Sequence, residues 1–198
     1  MRKSIIAGTM LLVAAPLLAA SETKDPAAVA AGTYTVDGSH ATVLAKVVHL
    51  GFSTTTVRFD QVSGTLTYDP AKAEAAAASI TVATGSLNSG FAARDEHLKG
   101  PGFFNAAAFP NATFASTRLV KTGADTADLP GQLTLLGVTK PLTLHVKFNG
   151  FGKGMDGKTR VGFSATGAIK RSDFGMKTFL GPVADDVALE IDAEFAGK

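Results

Sequence analysis

The sequence predicts an all-β fold, an antiparallel barrel or sandwich of about eight strands, and three observations carry that prediction. Apolar and polar residues alternate with period two through most of the chain, and turn residues separate the alternating runs. The 198 residues contain no cysteine, so a single domain has to be held by an apolar core rather than by disulfides.

Residues 1–20 stand apart from that domain. Arg2 and Lys3 precede an apolar run from Ile5 to Ala20, and the small residues Ala19, Ala20 and Ser21 follow, which is the pattern of a secretory signal peptide. The run is shorter than the ~20 residues of a membrane span, and no second one follows. A soluble mature protein without stable membrane insertion is expected, an uncleaved anchor being the alternative. A solvated, flexible lead over 21–31 then precedes a domain at 32–198.

Tyr34 and Val36 open the alternation, and Val43, Ala45 and Val47 continue it against Thr42 and Lys46. Leu44 and Val48 make both faces apolar there. Val57 and Phe59 alternate with Arg58 and Asp60, and the run from Ser63 to Tyr68 ends at Asp69-Pro70, a turn signal. Short strands follow at Ile80–Val82, Thr113–Val120 and Gln132–Leu136. The clearest alternation is Leu142, Leu144, Val146 and Phe148 against Thr143, His145 and Lys147. Val161, Phe163 and Ala165 repeat it, and Val187, Leu189, Ile191, Ala193 and Phe195 close it.

Two stretches break the pattern. Ala71–Ala78 reads as a helical turn or a loop, and Gly90–Ala108 is the least strand-like part of the domain. Within it, residues 92–99 are good helix formers stopped by Gly100-Pro101-Gly102, so a short helix capping a barrel mouth is the economical placement. A barrel of this size can keep a cavity for one small ligand, with such a cap controlling access.

Charge and composition exclude several functions. Without Arg2 and Lys3 the 19 basic residues fall to 17, matching the 17 acids, so nothing points to nucleic acid or an acidic membrane surface. The absence of cysteine rules out thiol catalysis and cysteine metal sites. The one dense cluster of charge and rings lies at 94–116, where Arg94, Asp95, Glu96 and His97 abut Phe103, Phe104 and Phe109. Such a polar island beside large rings suits an amphiphile better than a reaction centre.

The residues resemble the YceI-like family of periplasmic, lipocalin-like lipid-binding proteins. The resemblance is carried by His40-Ala41, His49-Leu50-Gly51-Phe52, Arg94-Asp95-Glu96-His97-Leu98, Phe109-Pro110 with Phe114 and Ser116, Gly131-Gln132-Leu133-Thr134 and Gly137-Val138-Thr139-Lys140-Pro141. Arg171-Ser172-Asp173-Phe174-Gly175 and Leu180-Gly181-Pro182 complete it. It implies an extended antiparallel eight-stranded barrel with a short helical cap, whose apolar channel holds a polyisoprenoid or another long-chain amphiphile in the periplasm. Val57, Ala41 and Leu44 depart from the family pattern, and Leu44 stands where relatives often have an aromatic, so ligand identity does not carry over.

Other motifs have plainer readings. Gly152–Thr159 fits the phosphate-loop pattern letter for letter, yet a strand rather than a helix follows it, so a hairpin loop is expected. Asp173-Phe174-Gly175 lacks every companion of the kinase element it mimics. His40, His49, His97 and His145 fall on separate elements without ligand spacing, so no metal is assigned and hydrogen-bonded structural histidines are expected. Ser164 lacks the closing glycine of a nucleophile elbow, and no pair among Asp95, Glu96, Asp185 and Asp186 is singled out for glycoside chemistry. Asn111-Ala112-Thr113 fits a glycosylation acceptor.

Alternation and resemblance together nominate Val43, Val47, Phe59, Leu144, Phe163 and Phe174 for the channel wall, with Phe103, Phe104 and Phe109 packing on the chain. Arg94, Asp95 and His97 are the head-group or lid candidates, although an ion pair or helix cap explains the first two as well. The expected function is non-enzymatic carriage or sequestration, with no cofactor beyond the bound ligand, for which a quinone, a prenyl phosphate, a fatty amide and a fatty acid are all candidates. A small hydrolase or transferase using His97 or His49 with Asp95, and a ligand-free stress module, are the alternatives. The sequence leaves the oligomeric state open, a homodimer included.

Overall fold

The structure is a computed structural model that describes residues 22–197, so the expected signal peptide lies outside the described residues. Strand β1 runs over Gly32–His49, β2 over Ser53–Phe59, β3 over Val62–Tyr68, β4 over Ala77–Ala83 and β5 over Leu87–Asn88. Helix α1 covers Ala92–Lys99, the stretch expected to be helical. After it come β6 (Asn111–Ser116), β7 (Val120–Lys121), β8 (Thr126–Leu135), β9 (Val138–Lys153), β10 (Thr159–Lys170) and β11 (Val183–Ala196).

These segments form a closed eight-stranded antiparallel barrel. There are more segments than barrel strands because some strands are bent. β1 pairs with β3 through Gly32–Thr35 and with β2 from Val43 onward, so β2 and β3 act as two halves of one strand broken at Asp60-Gln61. β6 and β7 likewise both pair with β8. Closure comes from the first and last strands, β1 lying against β11 from Thr35↔Ala196 to His49↔Val183. The register jumps between Val36 and Ala41, a bulge at which Asp37 accepts the Ser39 N–H (3.0 Å) and Ser39 hydroxyl (2.6 Å).

Local chemistry explains the departures from simple alternation. The strand expected over Thr113–Val120 stops at Ser116: continuing the Ala115↔Gln132 register would set Thr117 against Pro130, which has no N–H for the ladder. The Ser116 hydroxyl donates to the Pro130 carbonyl instead. Residues 70–75 form a 3-10 turn capped by Asp69, whose carboxylate accepts the Ala71 N–H at 2.9 Å. The phosphate-loop lookalike is the β9–β10 hairpin turn, with Gly157 at φ 75°.

Most residues of the lead are exposed, but it is tied to the barrel. Thr23 and Phe151 exchange backbone hydrogen bonds of 2.8 and 3.0 Å, and Val29 is buried. The Tyr34 hydroxyl donates to the Ala30 carbonyl at 2.6 Å. Val29 supplies the reason: in the ladder-free lead it is the one large aliphatic side chain, and it packs with Tyr34, Val36 and Phe195.

Candidate functional site

Because side chains alternate along a strand, one face of every barrel strand points inward, and in this chain that face is apolar. Val43 on β1, Phe59 on β2, Phe114 on β6, Leu144 on β9, Phe163 on β10 and Leu189 on β11 surround an internal cavity of about 270 Å³. The polar partners of the same strands face solvent, where His145 of β9 pairs with Asp128 of β8 at 2.7 Å. One close approach shapes the wall. A Cβ on Gly131 would stand 2.5 Å from the Phe114 ring, so the glycine makes room for that ring to lie flat on the sheet.

The two ends of the cavity differ. At one, the start of β1 meets the 3-10 turns Pro26–Ala28 and Pro70–Ala75 and the β7–β8 turn, and exposed Lys121, Gly123 and Ala124 lie on the rim. This is the mouth. At the other end the lining residues Thr84, Leu135, Arg171 and Met176 are all buried, and the half-buried Phe104 lies on the same wall. The cavity is blind there.

Arg171 holds the blind end together. It is 3% exposed, and its guanidinium donates to four backbone carbonyls: Ala184 (2.9 Å), Met176 (3.0 Å), Thr178 (2.8 Å) and Val183 (2.9 Å). Burial lowers its pKa, and the nearby Asp185 opposes that shift. Asp185 itself is held below the usual carboxylate range by the Ser172 hydroxyl and N–H. The planar fork thus ties the 3-10 turn Arg171–Phe174 to the entry of β11.

Of the wall candidates, Val43, Phe59, Phe104, Leu144 and Phe163 lie on the cavity. Val47 shares the inward face of β1 but is half-buried near the β1–β2 turn, off the cavity wall. Phe174 is buried within its 3-10 turn. In residues 100–109, the loop after α1 that plugs the blind end, the buried Phe103 turns from the cavity to meet His97 edge-on at 5.0 Å, and Phe109 stands over Gly137 while its carbonyl accepts the Thr84 hydroxyl at 2.7 Å. None of these four lines the cavity: Val47 lies toward the β1–β2 turn, Phe174 within its 3-10 turn, and Phe103 and Phe109 on the loop after α1 that closes the end.

Arg94, Asp95 and His97 also lie off the cavity wall. The Arg94 guanidinium donates to the Ser89 hydroxyl (2.8 Å) and carbonyl (2.6 Å), and the Asp95 carboxylate accepts the Ser89 N–H at 2.8 Å. The Ser89 hydroxyl, first among its partners, holds the Asp95 carboxyl below its ordinary value. These charges fasten α1 to β5. His97 is exposed and packs edge-on against Phe103 and against Phe179, the latter at 6.1 Å. Among the described residues neither His97 nor His49 is paired with a carboxylate. The His40 ring lies 3.2 Å from Asp37 on the outer face, where Arg160 also reaches Asp37 at 3.3 Å. Asp37, His40 and Glu194 have ligand atoms within 4.8 Å of one another, away from the cavity.

Arg171, Met176 and Phe114 were given no role by sequence reasoning. Arg171 and Phe114 fall inside the family-like motifs, but a motif does not say that an arginine is buried or which end it closes.

The YceI-like domain family matches residues 34–195. Protein YceI of Salmonella arizonae and a UPF0312 protein of Enterobacter are each 44% identical over 166 residues, covering 83% of this chain and 86% of theirs. Among solved structures, BcnA of Burkholderia cenocepacia superposes with a TM-score of 0.72 at 26% identity, over 80% of this chain and 98% of that one. The Campylobacter jejuni YCEI protein gives 0.68 at 34% identity, over 76% and 90%. A polyisoprenoid binding domain from Saccharophagus degradans shares the fold, with a TM-score of 0.64 at 18% identity over 83% and 98%. A barrel closed by its first and last strands, an apolar interior and this breadth of match lead to one assignment: the chain belongs to the YceI-like domain family.

Proposed function

We propose that this protein binds and shields one long-chain amphiphile, with a polyisoprenoid as the leading class, and does so without catalysing a reaction on it. The observation that carries this reading is the predominantly apolar wall of a cavity open at one end. A hydrocarbon chain entering the mouth exchanges water for that wall, at about 0.8 kcal/mol for each buried methylene. The chain then points toward Arg171 and Met176, and the polar head stays at the rim beside Lys121 and Asp125. No cofactor is required for such binding. The signal-like residues 1–20 favour a periplasmic site of action, where a water-filled space separates two membranes.

The name of the Saccharophagus degradans domain supports the same ligand class. The test is native mass spectrometry of protein purified from its own host, followed by organic extraction, alongside Leu144→Lys. The expected result is a stoichiometric lipid adduct that the variant lacks, since the substitution buries a charge in the wall. Folded wild-type protein that carries no lipid and takes up no added polyprenol overturns the reading.

A further inference from the structure

We propose that Phe104 and Met176 form a stop at the blind end of the cavity that sets the longest chain the protein holds without loss of affinity per methylene. The inference rests on the carrier reading above and adds a specificity device to it.

The two halves of the stop are built differently. The Phe104 ring meets Phe59 edge-on, with centroids 5.4 Å apart and planes at 80°, and its N–H donates to the Leu98 carbonyl at 3.0 Å. The half-buried ring packs against the buried cluster of Val57, Phe59 and Leu87, which holds its inner side in place. Met176 is fixed through its backbone. Its N–H donates to the Arg171 carbonyl at 3.2 Å, and its own carbonyl accepts the Arg171 guanidinium at 3.0 Å. Its unbranched thioether can still adjust to the end of a chain. One half of the stop is thus rigid, and the other can adapt.

A chain entering tail first gains affinity with each methylene that leaves water. Once its terminal methyl meets Phe104 and Met176, the next methylene has to buckle in the cavity or remain in water at the mouth. Affinity then stops rising with length. A stop made of loop-borne side chains, rather than of barrel strands, can be moved without rebuilding the barrel.

The experiment measures dissociation constants for straight-chain primary alcohols differing by one methylene, by displacement of a fluorescent polyene fatty acid from the full barrel. The wild type is expected to tighten about fourfold per methylene, the equivalent of ~0.8 kcal/mol, and then to level off at one length. Phe104→Ala is expected to move that plateau to longer chains by two or more methylenes while leaving the slope below it unchanged. Met176→Ala carries the same expectation and serves if the first variant fails to fold. Continuous tightening with no plateau, or a plateau unmoved in a folded variant, overturns the stop while leaving the carrier reading intact. A wild type that binds no alcohol and no polyene overturns the carrier reading, and the stop with it.

Discussion

Replacing Arg171 by methionine removes the guanidinium but keeps much of the volume of its stem. Four backbone carbonyls, those of Met176, Thr178, Val183 and Ala184, then lose their donor, the first in a fully buried bond and the other three in part-buried ones. A hydrogen bond to a charged donor contributes ~1.5–3 kcal/mol, so the gross loss is about 6–12 kcal/mol. Against it stands the relief of no longer burying a cation without a carboxylate partner, which is worth several kcal/mol. The expected net loss is ~4 kcal/mol, a large share of the ~5–15 kcal/mol that holds a typical domain. Arg171→Lys keeps the charge and some of the donors but not the fork, and should lose about half as much. Urea unfolding followed by circular dichroism reads both values, with the m-value expected to stay constant. A loss below ~1 kcal/mol in the methionine variant would show that water replaces the guanidinium at those carbonyls and would refute the account of an arginine-held end.

Two further outcomes follow from the outer face and from the plug. The Asp37 carboxyl sits at a pKa of about 2, lowered first by the Ser39 hydroxyl and then by His40. This is below its unfolded value of about 3.9, so its contribution to stability is complete above that pH and disappears as pH falls through 2. Thermal melts of Asp37→Asn should lie below wild type at neutral pH and converge with it toward pH 2; a constant gap across that range contradicts the assignment. His97→Ala, made in the ring cluster with Phe103 and Phe179, should leave polyprenol affinity within about twofold while lowering Tm by a few degrees, the cost of lost aromatic packing. A tenfold loss of affinity would restore His97 as a head-group residue.

Alternation told much about the barrel and less about the site. The apolar faces of β9 and β11 were readable because Leu142, Leu144 and Val146, and likewise Leu189, Ile191 and Ala193, never yield to a polar residue, but alternation alone did not say that this face is the lumen. Residues 92–99 were readable as helix because helix formers run unbroken into Gly100-Pro101-Gly102. Phe103, Phe104 and Phe109 were not separable in sequence. All three are large rings in one irregular segment, and only its path decides that Phe104 faces the cavity while Phe103 faces His97. Arg171 escaped notice for a related reason. Its partners are carbonyls, which every residue possesses and which leave no trace in the side-chain pattern. The docking of the lead was hidden as well, because Val29 is a single apolar residue without a repeat to announce it.

The pairing of β1 with β11 governs the order of events when the protein is made. Its earliest strand has to wait for its last, so the decisive contact joins residues such as Thr35 and Ala196 that are nearly a full chain length apart. Contacts of such long range slow folding, and until they form there is no interior to fill. A lipid therefore cannot be wrapped by the chain as it emerges. For the carrier proposed above, loading is then a separate act performed on the finished barrel, through its mouth rather than during synthesis.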